Sequence, residues 1–296
     1  MKNLSIIKGL SPELRNLLET ECQIDRLHIE DVFTNTQLAK TEKKENYLYV
    51  AFHFPEFDKH KRNFLSKEVH FFVTNEYLKI IDKDNYKHIS KFQEIQDDIL
   101  GKTPTTFNSF YEIIDFIITR IFNTLGRFKA EIEDVERAIF ENSTRMEDLL
   151  IEILIIKRNL INFISIITPM ERVIKELQTP KYNKFITTRG IEKLDDSHDK
   201  LEKMLNRLNN FKEQITLLKE TNETQIARST NQTIRTLTSV NLLVLIPTII
   251  TGFFGMNVNF GWHQDSDGFA PVFLIVFIIS TLTTISFIIF KNRKWI

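Results

Sequence analysis

The sequence predicts an α+β cytoplasmic domain, followed by long coiled-coil-like helices and two C-terminal transmembrane helices. Short β-branched and aromatic runs occupy roughly the first hundred residues. Apolar residues at three- and four-residue spacing dominate the middle of the chain. Two uncharged apolar segments close it, and each reaches the roughly 20 residues needed to cross a bilayer as a helix.

Residues 1–105 are predicted to form the α/β domain. Tyr47–Phe52 and Val69–Val73 are typical of strands in a packed sheet, and Leu78–Ile81 is expected to complete a hairpin with the second run. The polar segment Phe57–Asn63 predicts a loop between the first two strands.

Helices follow the strands. A helix around Ser90–Leu100 is expected to end at Gly101. Residues 106–235 are predicted to form a helical stalk, in which Asn108–Phe140 reads as one helix and Met146–Gln178 as a second that is kinked at Pro169.

The third stalk helix is expected to enter the bilayer without a break. Neither Pro nor Gly occurs between Ile191 and Pro247, so a continuous helix over 191–256 would be on the order of 100 Å long. Its first part carries a coiled-coil-like seam with steps of seven, four and three residues: Leu194, Leu201, Leu205, Leu208, Phe211, Ile215 and Leu218.

Beyond Leu218 this helix becomes polar but uncharged over long stretches. At 100° per residue, seven positions fall within about a third of its circumference. This polar stripe consists of Asn231, Ile234, Thr238, Asn241, Leu245, Thr248 and Gly252. Because polar groups at membrane depth are costly unless they face a cavity or another helix, the stripe is a candidate pore lining.

Flanking charge predicts the orientation of the two spans. The expected segments are a first span at 236–257, an outer loop at 258–268, a second span at 269–290 and a basic tail at 291–296. Lys and Arg flank both spans on the side of the termini, and the outer loop has neither. The positive-inside rule therefore places both termini in the cytoplasm. The chain is expected to be a multi-pass protein of the inner or plasma membrane.

Composition excludes several classes of function. The 39 basic and 39 acidic side chains balance, which gives no basic surface for nucleic acid. The lone Cys22 rules out an internal disulfide and a multi-thiolate metal site. No phosphate-binding loop and no nucleophile–base arrangement can be recognised, so we expect a protein that is not an enzyme and that has no cofactor.

Gly255-Met256-Asn257 lies at the outer end of the first predicted span. This tripeptide between two terminal membrane helices resembles the signature of the CorA family of divalent-cation channels. The resemblance covers nearly the whole chain, and it is strongest from Asn231 through Pro247-Thr248 to the closing Lys291–Trp295.

The resemblance implies a funnel-shaped homo-pentamer in the lipid bilayer, in which the first span of each subunit lines the central axis. It also implies that Mg²⁺ is both the transported and the regulatory ion. It implies a selectivity filter at Gly255, Met256 and Asn257. Asn231 would form an inner polar ring, and Ile234, Leu237 and Leu245 would match a hydrophobic constriction. Uptake of Co²⁺ and Ni²⁺ also falls within what the family implies.

By the same resemblance, Glu220 matches a carboxylate ring of the inner funnel. Asp196 and Asp199 match acidic positions of a regulatory site between subunits, where cytoplasmic Mg²⁺ favours closure. Four acids remain candidates for the partner in the N-terminal domain: Asp82, Asp84, Asp97 and Asp98. His198 occupies a seam position, which favours packing over metal ligation.

The chain departs from the family pattern in the outer loop, where the usual Glu is missing and Asp265 and Asp267 could concentrate cations. Asn241 stands where a small or apolar residue is more common. Two alternatives therefore stay open at this point: a zinc transporter of the same superfamily, and a non-conducting scaffold in which two helices anchor a coiled coil.

Overall fold

The computed structural model describes residues 4–34, 38–101, 105–141, 146–256 and 270–292. It divides into two compact units, residues 1–220 and 221–296.

A five-stranded sheet forms the centre of the first unit. Its strands are β1 (Leu4–Lys8), β2 (Lys40–Lys43), β3 (Leu48–Asp58), β4 (Asn63–Val73) and β5 (Leu78–Asp82), in the spatial order β1-β5-β4-β3-β2. β1 and β5 pair in parallel, and the other pairs are antiparallel. The predicted hairpin between β4 and β5 is confirmed.

The predicted loop at Phe57–Asn63 is wrong at both ends. Phe57 pairs with Phe64 and Asp58 with Asn63, so the two strands run almost to the turn. Asp58 caps this turn by accepting hydrogen bonds from the backbone N–H groups of His60 and Lys61 at 2.8 and 3.1 Å. The polar composition marks the tip of a long hairpin rather than a break in the sheet.

Eight α-helices are found in the described part of the chain: α1 (Pro12–Asn16), α2 (Arg26–Phe33), α3 (Lys87–Leu100), α4 (Thr106–Phe122), α5 (Leu125–Phe140), α6 (Met146–Leu177), α7 (Thr188–Phe254) and α8 (Ala270–Asn292). α3 ends at Gly101, whose φ of +68° is a conformation that glycine adopts without strain. α6 contains Pro169 and α7 contains Pro247.

The expectation of one helix over Asn108–Phe140 is wrong, since α4 and α5 are separate. At the junction the N–H groups of Thr124 and Arg127 donate to carbonyls three residues back, those of Ile121 and Thr124. Asn123 and Thr124, both poor helix formers, tighten the chain into a 3₁₀-like link there. Apolar spacing continues through the link because both helices bury one face in the same core, so periodicity alone could not reveal the break.

Each face of the sheet has its own apolar cluster, as the alternation along β3 requires. Leu48, Val50 and Phe52 belong to the larger cluster, which also contains residues of α3 to α7. Tyr49 and Ala51 point to the opposite face, where α1, the π-helical turn Leu17–Glu21 and α2 supply Leu14, Leu18, Ile29 and Val32.

The N-terminal part of α7 packs through its predicted seam. Leu194, Leu201, Leu208, Ile215 and Leu218 are buried, and Leu205 and Phe211 are partly buried. Gly190 permits a close approach to α4, because a Cβ there would lie only 2.6 Å from Cε1 of Phe107. Lys193 and Lys200 donate to Glu112 and Asp115 of α4 at 2.9 and 2.6 Å.

The second unit contains the rest of α7 and α8. α7 and α8 both include segments long and apolar enough to cross a bilayer, with mean hydropathies of 1.7 and 2.6. Only 6% and 0% of these segments is buried within the chain. Their apolar side chains therefore face away from the rest of the chain. Such a surface is stable in lipid, whereas in water it would leave a large apolar area exposed.

Candidate functional site

One face of α7 is covered within the second unit. Between residues 236 and 253, the less exposed positions are Ser239, Leu243, Pro247 and Ile250, at intervals of four, four and three residues. This spacing follows a single helix face. The other described side chains of this stretch are exposed.

α8 shows the matching pattern. Its less exposed positions are Ile275, Ile279, Thr283, Ser286 and Phe290, which again follow one face. Since α7 and α8 are the two elements that the described part of this unit contains, we infer that they pack through these faces. The other described positions of α8 are exposed in the single chain.

The polar stripe lies on the side of α7 that faces away from α8. At 100° per residue, its centre is roughly 170° around the helix from the face that α8 covers. All seven members are exposed in the single chain, and so is Leu237 at 60%. The stripe therefore does not serve the packing of the chain's own two membrane helices.

Hydroxyl groups of this segment are satisfied by the helix itself. Thr238, Thr248 and Thr251 donate to the carbonyls of Ile234, Val244 and Pro247 at 2.7–2.8 Å. Thr236 and Ser239 donate to carbonyls four residues back in the same way. Such bonding lowers the cost of hydroxyl groups at membrane depth.

α7 ends at the predicted filter motif. The N–H of Gly255 donates to the carbonyl of Thr251 at 2.8 Å, and Met256 follows with its side chain 55% exposed. A Cβ at position 255 would lie 3.1 Å from that same carbonyl oxygen, so glycine suits the tight helix end. Asn257, Asp265 and Asp267 lie outside the described residues.

The two acids of the expected regulatory site and Glu220 of the expected funnel ring are all exposed on α7. Asp196 and Asp199 are one turn apart, and Asp199 lies 4.0 Å from Lys203. Between them, Ser197 is buried and its hydroxyl donates to Asp115 of α4 at 3.3 Å. Packing on one side of the helix thus turns both carboxylates outward. Glu220, farther along the same helix, is exposed as well.

The four candidate partner acids differ sharply in access. Asp82 is fully buried and accepts a hydrogen bond from the N–H of Tyr86 at 2.8 Å, and burial raises the pKa of its carboxyl to about 6. Asp84 accepts from the N–H of Glu68 at 3.0 Å. Asp97 and Asp98 are exposed on the outer surface of α3. Asp84 is half-buried, so the α3 pair is the most accessible of the four to another molecule.

Within the described residues, two histidine-containing groups have donor atoms close enough together for a metal. His198 lies near Asp199 and Glu202, and its Nε2 is 2.7 Å from Glu171 of α6. It is half-buried and pairs across the seam, in agreement with a packing role.

The second group, which sequence spacing did not reveal, is His28, Asp31 and Glu42 on α2 and β2. The ammonium of Lys40 already lies 2.6 Å from Asp31 and 3.2 Å from Glu42. His28 is held by Glu42 and by the hydroxyl of Tyr47 at 2.9 and 2.8 Å. The lysine supplies the positive charge that a metal would bring, so this group is a structural ion-pair network.

Comparison with known proteins identifies the family. The chain matches the CorA-like Mg2+ transporter protein family over residues 7–292. It is 21% identical to the cobalt/magnesium transport protein CorA of Thermotoga maritima, over 92% of this chain and 77% of that protein. The protein of the same name from Methanocaldococcus jannaschii is also 21% identical, over 88% of this chain and 80% of its own length.

The fold agrees with this assignment. The complete structure of the CorA magnesium transporter from Methanocaldococcus jannaschii superposes with a TM-score of 0.83 at 19% identity, covering 98% of this chain and 90% of that one. An α+β domain, a long helix and two C-terminal apolar helices are thus shared along nearly the full length. The chain belongs to the CorA-like Mg2+ transporter protein family.

Proposed function

We propose that the protein is a membrane channel that mediates influx of divalent cations, with Mg²⁺ as its principal ion, and that it works as a homo-pentamer. The observation that carries the proposal is the polar stripe on the side of α7 opposite α8. A helix in lipid exposes polar groups only toward a cavity or a partner helix. Because the chain's own α8 covers the other face, the stripe requires further copies of the chain.

Ion hydration explains how such a pore would work with few charges. Mg²⁺ sheds its water reluctantly, so a channel does best by contacting the hydrated ion. The amide oxygen of Asn257 would accept hydrogen bonds from the ion's waters without the strong binding of a carboxylate, and conduction needs weak binding. A potential of about 100 mV contributes roughly 4.6 kcal/mol for two charges, which removes any need for ATP.

We further propose that both termini are cytoplasmic and that cytoplasmic Mg²⁺ regulates the channel through Asp196 and Asp199. The exposure of Asp97 and Asp98 favours them over Asp82 and Asp84 as the acids of a neighbouring subunit. An ion that bridges such carboxylates relieves their mutual repulsion. It shifts the equilibrium toward the closed channel only to the extent that it binds the closed state more tightly than the open state.

Uptake into liposomes that contain the purified protein tests the proposed function. With an inside-negative potential we expect saturable entry of Mg²⁺, and weaker entry of Co²⁺ and Ni²⁺. Protein-free liposomes are the control. Faster entry of Zn²⁺ than of Mg²⁺ would favour a zinc transporter, and no entry of any of the four ions would favour a non-conducting scaffold.

The pentamer makes a prediction about proximity. Cysteines introduced singly at Thr238 and at Leu245, with Cys22 replaced by Ser, are expected to cross-link between subunits, because both positions lie on the stripe. A cysteine at Ile278, an exposed position of α8, is the matched control and should not cross-link. A monomer or dimer in native mass spectrometry would contradict the proposed assembly.

A further inference from the structure

Asn241 differs from every other polar residue of the membrane segment of α7. Between residues 236 and 254, each hydroxyl donates to a backbone carbonyl of its own helix. The amide of Asn241 offers two donors and one acceptor, yet it makes no hydrogen bond to any residue that the structure describes. Its hydrogen-bonding groups must therefore find their partners outside the described part of the chain.

The position of Asn241 excludes its own α8 as that partner. It lies near the middle of the polar stripe and is exposed, roughly on the far side of the helix from Leu243 and Pro247, which lie on the face that α8 covers. Burying an unpaired amide in hydrocarbon costs several kcal/mol, so lipid contact is also excluded. What remains is water inside the assembly or a neighbouring copy of α7.

Most neighbours of Asn241 on this side are large and apolar, and Thr238 is the exception. Leu237 and Leu245 lie one turn away in either direction, which is about 6 Å along the axis. They are 60% and 48% exposed in the single chain. Ile234, one turn before Leu237, is 54% exposed. Without Asn241, the polar group left on this side between Ile234 and Leu245, a span of roughly 16 Å, is the hydroxyl of Thr238, which already donates to the carbonyl of Ile234.

We propose that Asn241 forms a polar collar that keeps this apolar neck wet and contacts the hydrated cation within the membrane. The inference rests on the proposed function, in which five copies of the stripe surround the axis. Apolar constrictions close by expelling water, and amide groups at mid-length give water hydrogen-bond partners that oppose this. An amide also holds the ion's water shell without adding a fixed charge.

The collar predicts a specific loss of transport. Asn241→Leu keeps the side-chain size and removes the amide from the neck, so Mg²⁺ uptake in proteoliposomes should fall at least tenfold, which corresponds to about 1.4 kcal/mol. Asn241→Gln, which keeps the amide, should retain most of the uptake. Val240→Leu makes a change of similar size on the adjacent residue, off the stripe, and should leave uptake unchanged.

Access to the collar is tested separately. With Cys22 replaced by Ser, uptake by the Asn241→Cys protein should be blocked by micromolar Cd²⁺, because a ring of thiols facing water binds this soft ion. The Val240→Cys protein should not be blocked. Native mass spectrometry of every variant reports whether assembly persists.

The outcomes separate the collar from the proposed function. If Asn241→Leu assembles and transports like the parent, or if Cd²⁺ has no effect on Asn241→Cys, the collar does not exist although the channel does. If Asn241→Leu no longer assembles, the amide bonds neighbouring helices instead of water, and the inference is overturned. If the parent protein itself takes up no divalent ion, it is the proposed function that fails.

Discussion

Replacing Asn257 by Ala is expected to abolish Mg²⁺ uptake while the protein still assembles. In the proposed pore this amide is the first group that an entering hydrated ion meets, and alanine offers its water shell no acceptor. Losing a ring of hydrogen bonds to a bound ion should reduce flux by at least 100-fold, given about 0.5–1.5 kcal/mol for each bond. Proteoliposome uptake measures the effect.

Two further variants test the rest of the outer loop. Asn259→Ala removes an amide two residues farther along the outer loop and should leave uptake close to that of the parent. Asp265→Asn combined with Asp267→Asn should lower uptake at low Mg²⁺ but not at saturation, since these charges would only raise the local ion concentration. Unchanged uptake by an assembled Asn257→Ala protein would move selection away from the tripeptide.

Neutralising the stalk acids is expected to give the second large effect. Asp196→Asn together with Asp199→Asn removes two exposed carboxylates without disturbing the packed side of α7, where Ser197 and Leu201 are buried. Conduction should persist, while the internal Mg²⁺ concentration that half-closes the channel should rise at least tenfold. Patch recordings with controlled internal Mg²⁺ measure this shift.

Controls for this second prediction lie on the same helix. Glu213→Gln removes an exposed charge about four turns beyond Asp199 and should leave the inhibition curve in place. Asp97→Asn with Asp98→Asn should reproduce the loss of inhibition if α3 supplies the partner acids. An inhibition curve identical to that of the parent in the Asp196/Asp199 variant would mean that these acids are only a solvated helix face.

Much of the fold follows from local patterns in the sequence. The hairpin of β4 and β5, the end of α3 at Gly101 and the seam from Leu194 to Leu218 were all predictable, because each depends on a period or a residue preference that acts over a few positions. The two membrane helices were predictable as well, since an uncharged run of this length has few other stable states.

The errors arose where a pattern could be satisfied in two ways. Phe57 and Asp58 extend β3 because pairing with Phe64 and Asn63 outweighs their polar surroundings. The chain separates α4 from α5 at Asn123 and Thr124 although apolar spacing runs through, because both helices bury a face in one core. Tertiary packing decides such cases, and it depends on residues far away in the sequence.

At the candidate site, the family resemblance, the Gly-Met-Asn tripeptide and the polar stripe could all be recognised without a structure. Asn241 could still be either a pore-lining residue or a contact between helices. The packing of the folded chain was needed to show that the less exposed face of α7 lies opposite the stripe, that Asp82 is buried and that Asp97 and Asp98 are exposed. Helical periodicity fixes which residues share a face, but which face is covered depends on where a distant segment of the chain packs.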